Sequence, residues 1–499
     1  MPTRMGELLT AWFPGGSGLT AADFAMLGVL LAVMTFLGLR AAAATGTADD
    51  FFLAGRREHW LIAGLALVAA EVSALTLLGV PAASFREDWT FLQFFIGAAV
   101  ARVLVAWVFV PAFFRDGGAT PYVYLGRRFG PLTRTAGALT FLITRVLVSA
   151  VRLLAACVAA GFLLGWSPAP TLVLFTVVSV AALARGGARA AIWTGAFQAL
   201  VILVVGVLSV IFLMRRVDGG IGGAWSLAGE AGKLRLFSEP AGLGVALITG
   251  FFGSAAAFGT DHEMTQKLLA MKNAGNGRRA MLASIAGSLG VLVLYLIAGT
   301  LLFVFYKQNP GMALPDRADL LYPHFAAKMM GPAMRGLVLS ALVLASIDAP
   351  LSSLATVFVV DLRRPFVGRE RSPAEELRLA RAAALVFALL LAALAALFSV
   401  SGESLSFAFK AAGVASGPLL GVFFFGLTTA RRGDRAAAAA FGATTVLNLA
   451  LLILSERGTL PLGWSWLVAF GAVGSFVLAW TLTGPYFFGA KRSMPAPRG

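Results

Sequence analysis

The stretch Ala69-Ala-Glu-Val-Ser-Ala-Leu-Thr76 lies in the middle of an apolar segment that runs from Trp60 to Ser84. Gly64, Gly79 and Pro81 flank this stretch and predict that the helix is interrupted at mid-membrane depth. An interruption inside a bilayer frees backbone carbonyl and amide groups, which persist only where protein, water or a ligand satisfies them. The stretch therefore predicts a binding site for a solute or an ion.

A second apolar segment, Leu243 to His262, has the same character. Gly250, Gly253 and Gly259 surround Ser254 in this segment. We predict that this helix is also interrupted at mid-membrane depth. Interruptions at corresponding positions in the two halves of a chain indicate an internal repeat with a binding site between the halves.

The composition is that of a polytopic membrane protein. The chain has 499 residues, of which 59% are hydrophobic and 13% are charged, far from the composition of a soluble protein. Apolar stretches of about 20 residues predict an all-α polytopic membrane protein with about thirteen transmembrane helices. The predicted spans lie near residues 20 to 41, 58 to 84, 91 to 114, 134 to 165, 170 to 185, 190 to 214, 243 to 261, 281 to 306, 334 to 361, 378 to 400, 405 to 427, 437 to 455 and 464 to 485.

The net charge of +16 is distributed by side of the membrane and does not form one patch, so the expected partner is the lipid bilayer and not nucleic acid. With the N-terminus outside, the loops that fall inside carry 24 of the 40 basic residues. The positive-inside rule therefore predicts a multi-pass protein of the cell membrane with an external N-terminus and a cytoplasmic C-terminus. Cys157 is the only cysteine, which excludes a disulfide or a thiolate metal site within one chain.

Five motifs, in order along the chain from Asp50 to about Gly433, together resemble the sodium/solute symporter family. They are Asp50-Phe-Phe-Leu-Ala-Gly-Arg56, Ser73-Ala-Leu-Thr-Leu-Leu-Gly-Val-Pro81, Thr120-Pro-Tyr-Val-Tyr-Leu-Gly-Arg-Arg-Phe-Gly130, Gly259-Thr-Asp-His-Glu-Met-Thr-Gln-Lys267 and Ser352-Ser-Leu-Ala-Thr-Val-Phe-Val-Val-Asp361. The resemblance implies secondary active transport, in which Na+ drives symport of a small organic solute by alternating access. No H-E-x-x-H, G-x-S-x-G or P-loop motif is present, so we do not expect an enzyme.

The resemblance also implies a leucine-transporter-type core of two inverted repeats with five helices each. The repeats span 58–214 and 243–427, and an external loop at 215–242 joins them. Residues 1–57 form an external N-terminus, an extra first helix and a cytoplasmic loop, while 428–499 form two additional helices and a cytoplasmic tail. Five spans in each half require opposite topology, as inverted repeats do.

For sodium, the resemblance implies a site that uses the backbone carbonyls of Ala69, Val72 and Leu342 with two adjacent hydroxyl groups. The two hydroxyl positions fall on Ala345 and Ser346, so one hydroxyl ligand is missing. This departure weakens the expected sodium site and keeps two alternatives open, namely H+ as the coupling ion and an uncoupled facilitator on the same fold. A sensor that does not transport is the alternative from another class.

A second departure is Gly195, which follows Trp-Thr where the family commonly has an aspartate. Asp348 lies three residues after Ala345 and projects from nearly the same face of the helix. We hypothesise that Asp348 supplies the missing negative charge near the cation, since intramembrane carboxylates are costly and mark functional sites. The alternative is a structural ion pair of Asp348 with Arg145 or Arg152.

Glu71 is a further acidic residue at membrane depth, inside the interrupted helix. One interpretation is that it carries a proton, because burial favours the neutral form of a carboxyl group. The other is a structural ion pair with Arg145 or Arg152, which lie seven residues apart on one face of their helix. Both interpretations follow from the cost of burying a charge in the membrane.

For the solute, the resemblance implies a lining at the midplane made of Thr76, Phe94, Ser254, Phe258 and Ser288. The motif Leu78-Gly-Val-Pro81 is similar to the monocarboxylate and vitamin branch of the family, which implies a monocarboxylate or another organic anion as the solute. An arginine, Arg145 or Arg152, would then neutralise the carboxylate by charge-assisted bonds. The alternative is that these arginines form internal salt bridges. The sequence leaves the oligomeric state open.

Overall fold

The computed structural model describes residues 19–183, 186–347, 350–366, 372–401 and 404–483. These described residues form helices and turns without a β-strand. The helices of the first half are α1 (Ala21–Ala43), α2 (Ala48–Leu53), α3 (Trp60–Glu71), α4 (Ala74–Arg86), α5 (Phe91–Leu104), α6 (Val110–Asp116), α7 (Pro121–Arg128), α8 (Pro131–Leu164), α9 (Pro168–Leu183), α10 (Gly187–Met214) and α11 (Gly220–Glu230).

The second half continues with a further series of helices and with several short helical turns. Its helices are α12 (Pro240–Gly259), α13 (His262–Leu269), α14 (Ala274–Gln308), α15 (Leu321–Met329), α16 (Pro332–Ile347), α17 (Leu351–Val357), α18 (Pro373–Ser401), α19 (Ser404–Thr428), α20 (Asp434–Glu456) and α21 (Trp466–Leu482). Short turns are π-helical at Val105–Phe109 and Phe358–Arg363, 3-10 at Ala54–Arg56 and Ala318–Leu320, and α-helical at Arg364–Phe366.

Within the described part of the chain, nine helices are long and apolar enough to cross a membrane, or ten if α3 and α4 form one bent span. Shorter apolar helices, in α9, α16 and α21, fall on three further predicted spans. The predicted all-α polytopic class is therefore confirmed. The count of thirteen spans and the bounds of the two repeats stay predictions.

The interruption predicted between Trp60 and Ser84 is confirmed. Helix α3 ends at Glu71, α4 begins at Ala74, and the two parts of the segment differ in direction by 63°. Val72 and Ser73 between them have extended backbone, with ψ angles of 116° and 178°. Pro81 lies inside α4 and does not cause the interruption.

The interruption predicted at mid-depth in the second segment is wrong. Helix α12 is continuous from Pro240 to Gly259, and the chain departs from helical geometry only at Thr260 and Asp261, before α13 begins. Gly250 of α12 serves a different purpose, because it allows a neighbouring helix to approach. Glycine in an apolar helix is compatible with either role, and the neighbouring helix decides between them.

The neighbouring helix is α5, and its close contact with α12 depends on Gly97 and Gly250. A Cβ atom on Gly97 would overlap the carbonyl oxygen of Leu247, and one on Gly250 would overlap the carbonyl oxygen of Phe94. The two backbones therefore touch, as small residues allow in membrane helices. The side chains that follow Gly97 on α5 and Gly250 on α12 therefore lie close to one another.

Away from the contact between α5 and α12, hydrogen bonds join motifs that are far apart in the sequence. Asp361 accepts hydrogen bonds from Thr120 Oγ1 at 2.7 Å and from Arg134 Nε at 2.9 Å. Gln266 donates through Nε2 to the carbonyl oxygen of Phe52 at 2.9 Å. Residues of the first, third, fourth and fifth motifs thus meet in space. We call this part of the fold, which contains Arg56, Arg127, Arg134 and Arg364, the arginine-rich end.

We predict that Gly97→Ala destabilises the protein by about 1–3 kcal/mol, because the added methyl group forces the backbones of α5 and α12 apart. The measurement is the thermal unfolding midpoint of the detergent-solubilised protein. Gly244→Ala is the matched control on α12, since nothing lies within 4 Å of its added Cβ. Equal unfolding midpoints for the two variants would contradict this account of the helix contact.

Candidate functional site

The interruption between α3 and α4 holds an ion pair between Glu71 and Arg102. Arg102 of α5 donates a hydrogen bond through Nη2 to Glu71 Oε1. Ser288 of α14 donates through Oγ to the other carboxylate oxygen of Glu71. The side chain of Arg102 is 0% exposed, whereas that of Glu71 is 30% exposed. Glu71 therefore separates the buried guanidinium group of Arg102 from the more accessible space beside the interruption.

Polar and aromatic groups surround the guanidinium group of Arg102. Its Nε lies 3.3 Å from Ser254 Oγ, and its Nη1 lies 3.3 Å from Ser288 Oγ. The guanidinium carbon lies 4.1 Å from the centroid of the Phe258 ring and 5.4 Å from that of Phe95. Cation–π contacts and hydrogen bonds of this kind are what allows a charge to remain buried in a membrane protein.

The sequence left two interpretations of Glu71 open, and the one that pairs it with Arg145 or Arg152 is wrong. Arg145 forms ion pairs with Asp261, at 3.3 Å, and with Glu263, both at the junction of α12 and α13. The signal that identifies Arg102 was present in the sequence, because an arginine inside a predicted span marks a functional or paired site. Its partner could not be read from the sequence, since pairing across helices depends on how each helix is rotated.

Arg152 lies near the interruption through a different contact. Its Nη2 donates to the carbonyl oxygen of Ala70 at 3.1 Å. Ala70 is next to Ala69, one of the residues whose carbonyl groups were predicted to bind sodium. A positive charge thus lies close to the predicted cation site.

The interruption also redirects the amide groups that would normally bond to the end of α3. The amide of Ser73 donates to Thr76 Oγ1 at 3.4 Å, and the amide of Thr76 donates to the carbonyl oxygen of Ser73 at 2.9 Å. In a continuous helix these two amides would bond to the carbonyls of Ala69 and Val72. The turn therefore frees the two carbonyl groups that the sequence predicts as sodium ligands.

The other predicted sodium ligands lie on or after α16. Leu342 and Ala345 are buried on this helix, and the backbone of Ser346 continues it. Asp348, predicted to supply a negative charge, lies outside the described residues. On α10, a Cβ atom at Gly195 would lie 3.3 Å from both Cα and Cβ of Ala66 in α3. Glycine thus lets α10 pack tightly against α3 where the family commonly has an aspartate.

A cavity of about 390 Å³ lies beside the interruption. The predicted solute residues Thr76, Phe94 and Ser288 line it together with Glu71. The remaining lining is aliphatic, aromatic or glycine, at Val72, Gly79, Val80, Ala83, Phe91, Phe95, Ala98, Leu292 and Leu296. A mostly apolar cavity with a few converging polar groups is typical of a small-molecule site.

The remaining two predicted solute residues have a different position. Ser254 and Phe258 of α12 contact the buried guanidinium group of Arg102. They therefore support the floor of the cavity from behind, and Glu71 is the charged side chain among the described residues that line it. The structure thus brings the predicted solute residues together around an ion pair that the sequence analysis did not identify.

The comparison with protein families matches residues 51–442 to the sodium:solute symporter family. The chain belongs to this family. The resemblance of its sequence motifs is therefore confirmed, and the chain is a membrane symporter coupled to sodium and not an enzyme.

Relatives and one solved structure agree with this assignment. The sodium/sialic acid symporter NanT of Aliivibrio fischeri is 28% identical over 82% of this chain and 83% of its own length. The sodium-coupled monocarboxylate transporter 1 of Xenopus laevis is 27% identical over 83% of this chain and 69% of its own length. A Na+-coupled sialic acid symporter, solved in a substrate-bound outward-open state, matches with a TM-score of 0.85 at 22% identity, covering 92% of this chain and 97% of its own. This last likeness shows a common fold.

We predict that Arg102→Met destabilises the protein by about 3 kcal/mol, the lower end for a broken buried pair, because it leaves the partly buried Glu71 without its partner. The double variant Glu71→Gln with Arg102→Met should recover part of this loss, since no unpaired charge remains. Unfolding free energies of the two single variants and the double variant give the coupling energy.

The exposed ion pair between Arg317 and Asp319 is the matched control, with side chains that are 60% and 43% exposed. Arg317→Met should change the stability by less than about 1 kcal/mol. A coupling energy near zero between Glu71 and Arg102 would show that the two side chains do not form a pair in the folded protein.

Proposed function

We propose that the cavity beside the interrupted helix binds the transported solute and that Na+ binds at the interruption itself. The observation that carries this proposal is the turn at Val72 and Ser73, which frees the carbonyl groups of Ala69 and Val72 immediately next to the cavity. One short segment then contacts both the ion and the solute. Binding of either ligand fixes this segment, so each ligand raises the affinity for the other.

In this proposal, the sodium ligands are the carbonyls of Ala69, Val72 and Leu342, the hydroxyl group of Ser346 and the carboxylate of Asp348. Oxygen ligands of these kinds suit a hard cation. The carboxylate replaces the negative charge that Gly195 cannot provide. Asp348 follows Ala345 by three residues in the sequence, which is the spacing on which this proposal rests.

The competing proposal is that the coupling Na+ binds away from the interruption, and Arg152 favours it. The guanidinium group of Arg152 donates to the carbonyl of Ala70, between the two freed carbonyls. A fixed positive charge there repels Na+ and partly replaces it. The two proposals differ in whether substitutions at the interruption change the response of the protein to Na+.

The solute is a small organic molecule, and an organic anion is the finer hypothesis from the sequence. The names of the relatives, which specify sialic acid and monocarboxylates, support this hypothesis. The position of Glu71 weighs against it, because a carboxylate that enters the cavity meets the carboxylate of Glu71 before it reaches Arg102. Neither Arg145 nor Arg152 is among the described residues that line this cavity.

We also propose that the cavity opens to the outside. It extends along α4 from Glu71 towards Ala83, away from Arg56 and the arginine-rich end. The positive-inside rule places that basic end in the cytoplasm. The N-terminus is then external and the C-terminus cytoplasmic.

The experiment for sodium coupling is thermal unfolding in sodium chloride and in choline chloride at equal ionic strength and at several pH values. We expect a saturable, sodium-specific stabilisation of about 2.7 kcal/mol at a sodium concentration one hundred times the dissociation constant. Arg152→Gln should strengthen this response if Na+ binds at the interruption, because the substitution removes a competing positive charge. A sodium response that Arg152→Gln leaves unchanged would favour a site away from the interruption.

Asp348→Asn should weaken the sodium response more than Ser346→Ala does. A full negative charge stabilises the ion more than one neutral oxygen, and Asn keeps the shape of the side chain. The apparent sodium affinity from the same unfolding titration provides the comparison. If Asp348→Asn binds sodium as tightly as the unmodified protein, the carboxylate is not a ligand.

A further inference from the structure

We propose that Glu71 acts as a built-in anion that occupies Arg102, so that the cavity binds solutes by their hydrogen-bond donors and rejects monocarboxylate anions. This inference rests on the proposed function, because it takes the cavity beside the interruption as the solute site. It assigns the selection of the solute to one residue pair and names the solute class as uncharged molecules or molecules with an ammonium group.

The two charges of the pair lie in a fixed order from the cavity inwards. Arg102 is fully buried behind Glu71, and Glu71 is the member of the pair that is exposed to the cavity. Arg102 already contacts a carboxylate, two serine hydroxyl groups and two phenylalanine rings. A carboxylate on the solute could contact the guanidinium group only by displacing Glu71.

Displacement of Glu71 from Arg102 would bring two carboxylates together. Glu71 would lose its ionic partner and remain in the same small cavity as the solute carboxylate. Two carboxylates close together repel one another, and the repulsion is strong where water is scarce. The displaced arrangement therefore has one more unpaired negative charge than the resting arrangement.

The cavity accepts groups that donate hydrogen bonds or carry a positive charge. Each oxygen of Glu71 receives one hydrogen bond, from Arg102 and from Ser288, and a carboxylate has about four acceptor directions in total. The remaining directions are available to an ammonium, hydroxyl or amide group of the solute. Phe91 and Phe94, whose rings stack at 6.0 Å, line the cavity and offer faces that attract a cation.

The inference predicts that removal of the built-in anion reverses the selectivity. Glu71→Gln keeps the size of the side chain and removes its charge, while Glu71→Ala also opens a path to Arg102. In both variants the guanidinium group lacks an anionic partner and should accept one from solution. An anion should therefore stabilise the variants but not the unmodified protein.

The probes are lactate and lactamide, which share a carbon skeleton and differ in carrying a carboxylate or an amide. Thermal unfolding is measured while sodium lactate replaces sodium chloride at constant sodium concentration, and while lactamide is added at constant salt. For lactate, we expect the apparent affinity of the Glu71 variants to exceed that of the unmodified protein by at least about tenfold, the effect of one charge-assisted hydrogen bond. Lactamide should stabilise the unmodified protein.

Thr76→Ala is the matched control, because it alters an uncharged residue of the same cavity. This variant should gain no response to lactate. If Glu71→Ala folds only when an anion is present, recovery of the folded protein in lactate but not in lactamide also supports the inference. Stabilisation of the unmodified protein by lactate, or equal lactate responses in the unmodified protein and in Glu71→Gln, would overturn the inference.

The same samples separate this inference from the proposed function. The sodium response of the unmodified protein, measured in sodium chloride against choline chloride, tests the ion coupling alone. A sodium response without a change of anion selectivity would overturn only the role of Glu71. A change of selectivity without a sodium response would overturn only the coupling.

Discussion

A helix that ends inside a membrane must satisfy every backbone group that its end exposes. In this protein the end lies at Glu71, and the solution combines a local turn with side chains from other helices. Ser73 and Thr76 bond to one another, and Arg152 reaches the carbonyl of Ala70 from α8. We propose that the carbonyls of Ala69 and Val72 remain available for a cation. The helix packing around α3 and α4 therefore follows from one short segment of extended backbone.

The ion pair between Glu71 and Arg102 joins this segment to the rest of the core. It connects the end of α3 to α5, and through Ser254 and Ser288 it also connects to α12 and α14. A buried pair of charges contributes little net stability, but it penalises arrangements that separate the charges. The pair is therefore suited to hold one geometry of the cavity floor and, as we propose, to reject anionic solutes that compete with Glu71 for Arg102.

The sequence predicted much of the fold because periodicity and composition report depth in the membrane. The interruption at Glu71 was accessible in this way, whereas the contribution of Thr76, Phe94 and Ser288 to one cavity was implied by the resemblance to the family. The rotation of each helix about its axis was not accessible from the sequence. The partner of Glu71 was therefore assigned to α8 and not to Arg102 of α5. The glycines of α12 were taken for an interruption because the close approach of α5 cannot be seen from one segment.

The central claim is that the interrupted helix binds Na+ beside the solute cavity. Equilibrium binding of radioactive sodium to the purified protein tests this claim most directly, because it requires neither a known solute nor a gradient. The account predicts saturable binding that unlabelled sodium chloride displaces and choline chloride does not. Binding that fails to saturate, or that choline displaces as well as sodium does, would contradict it.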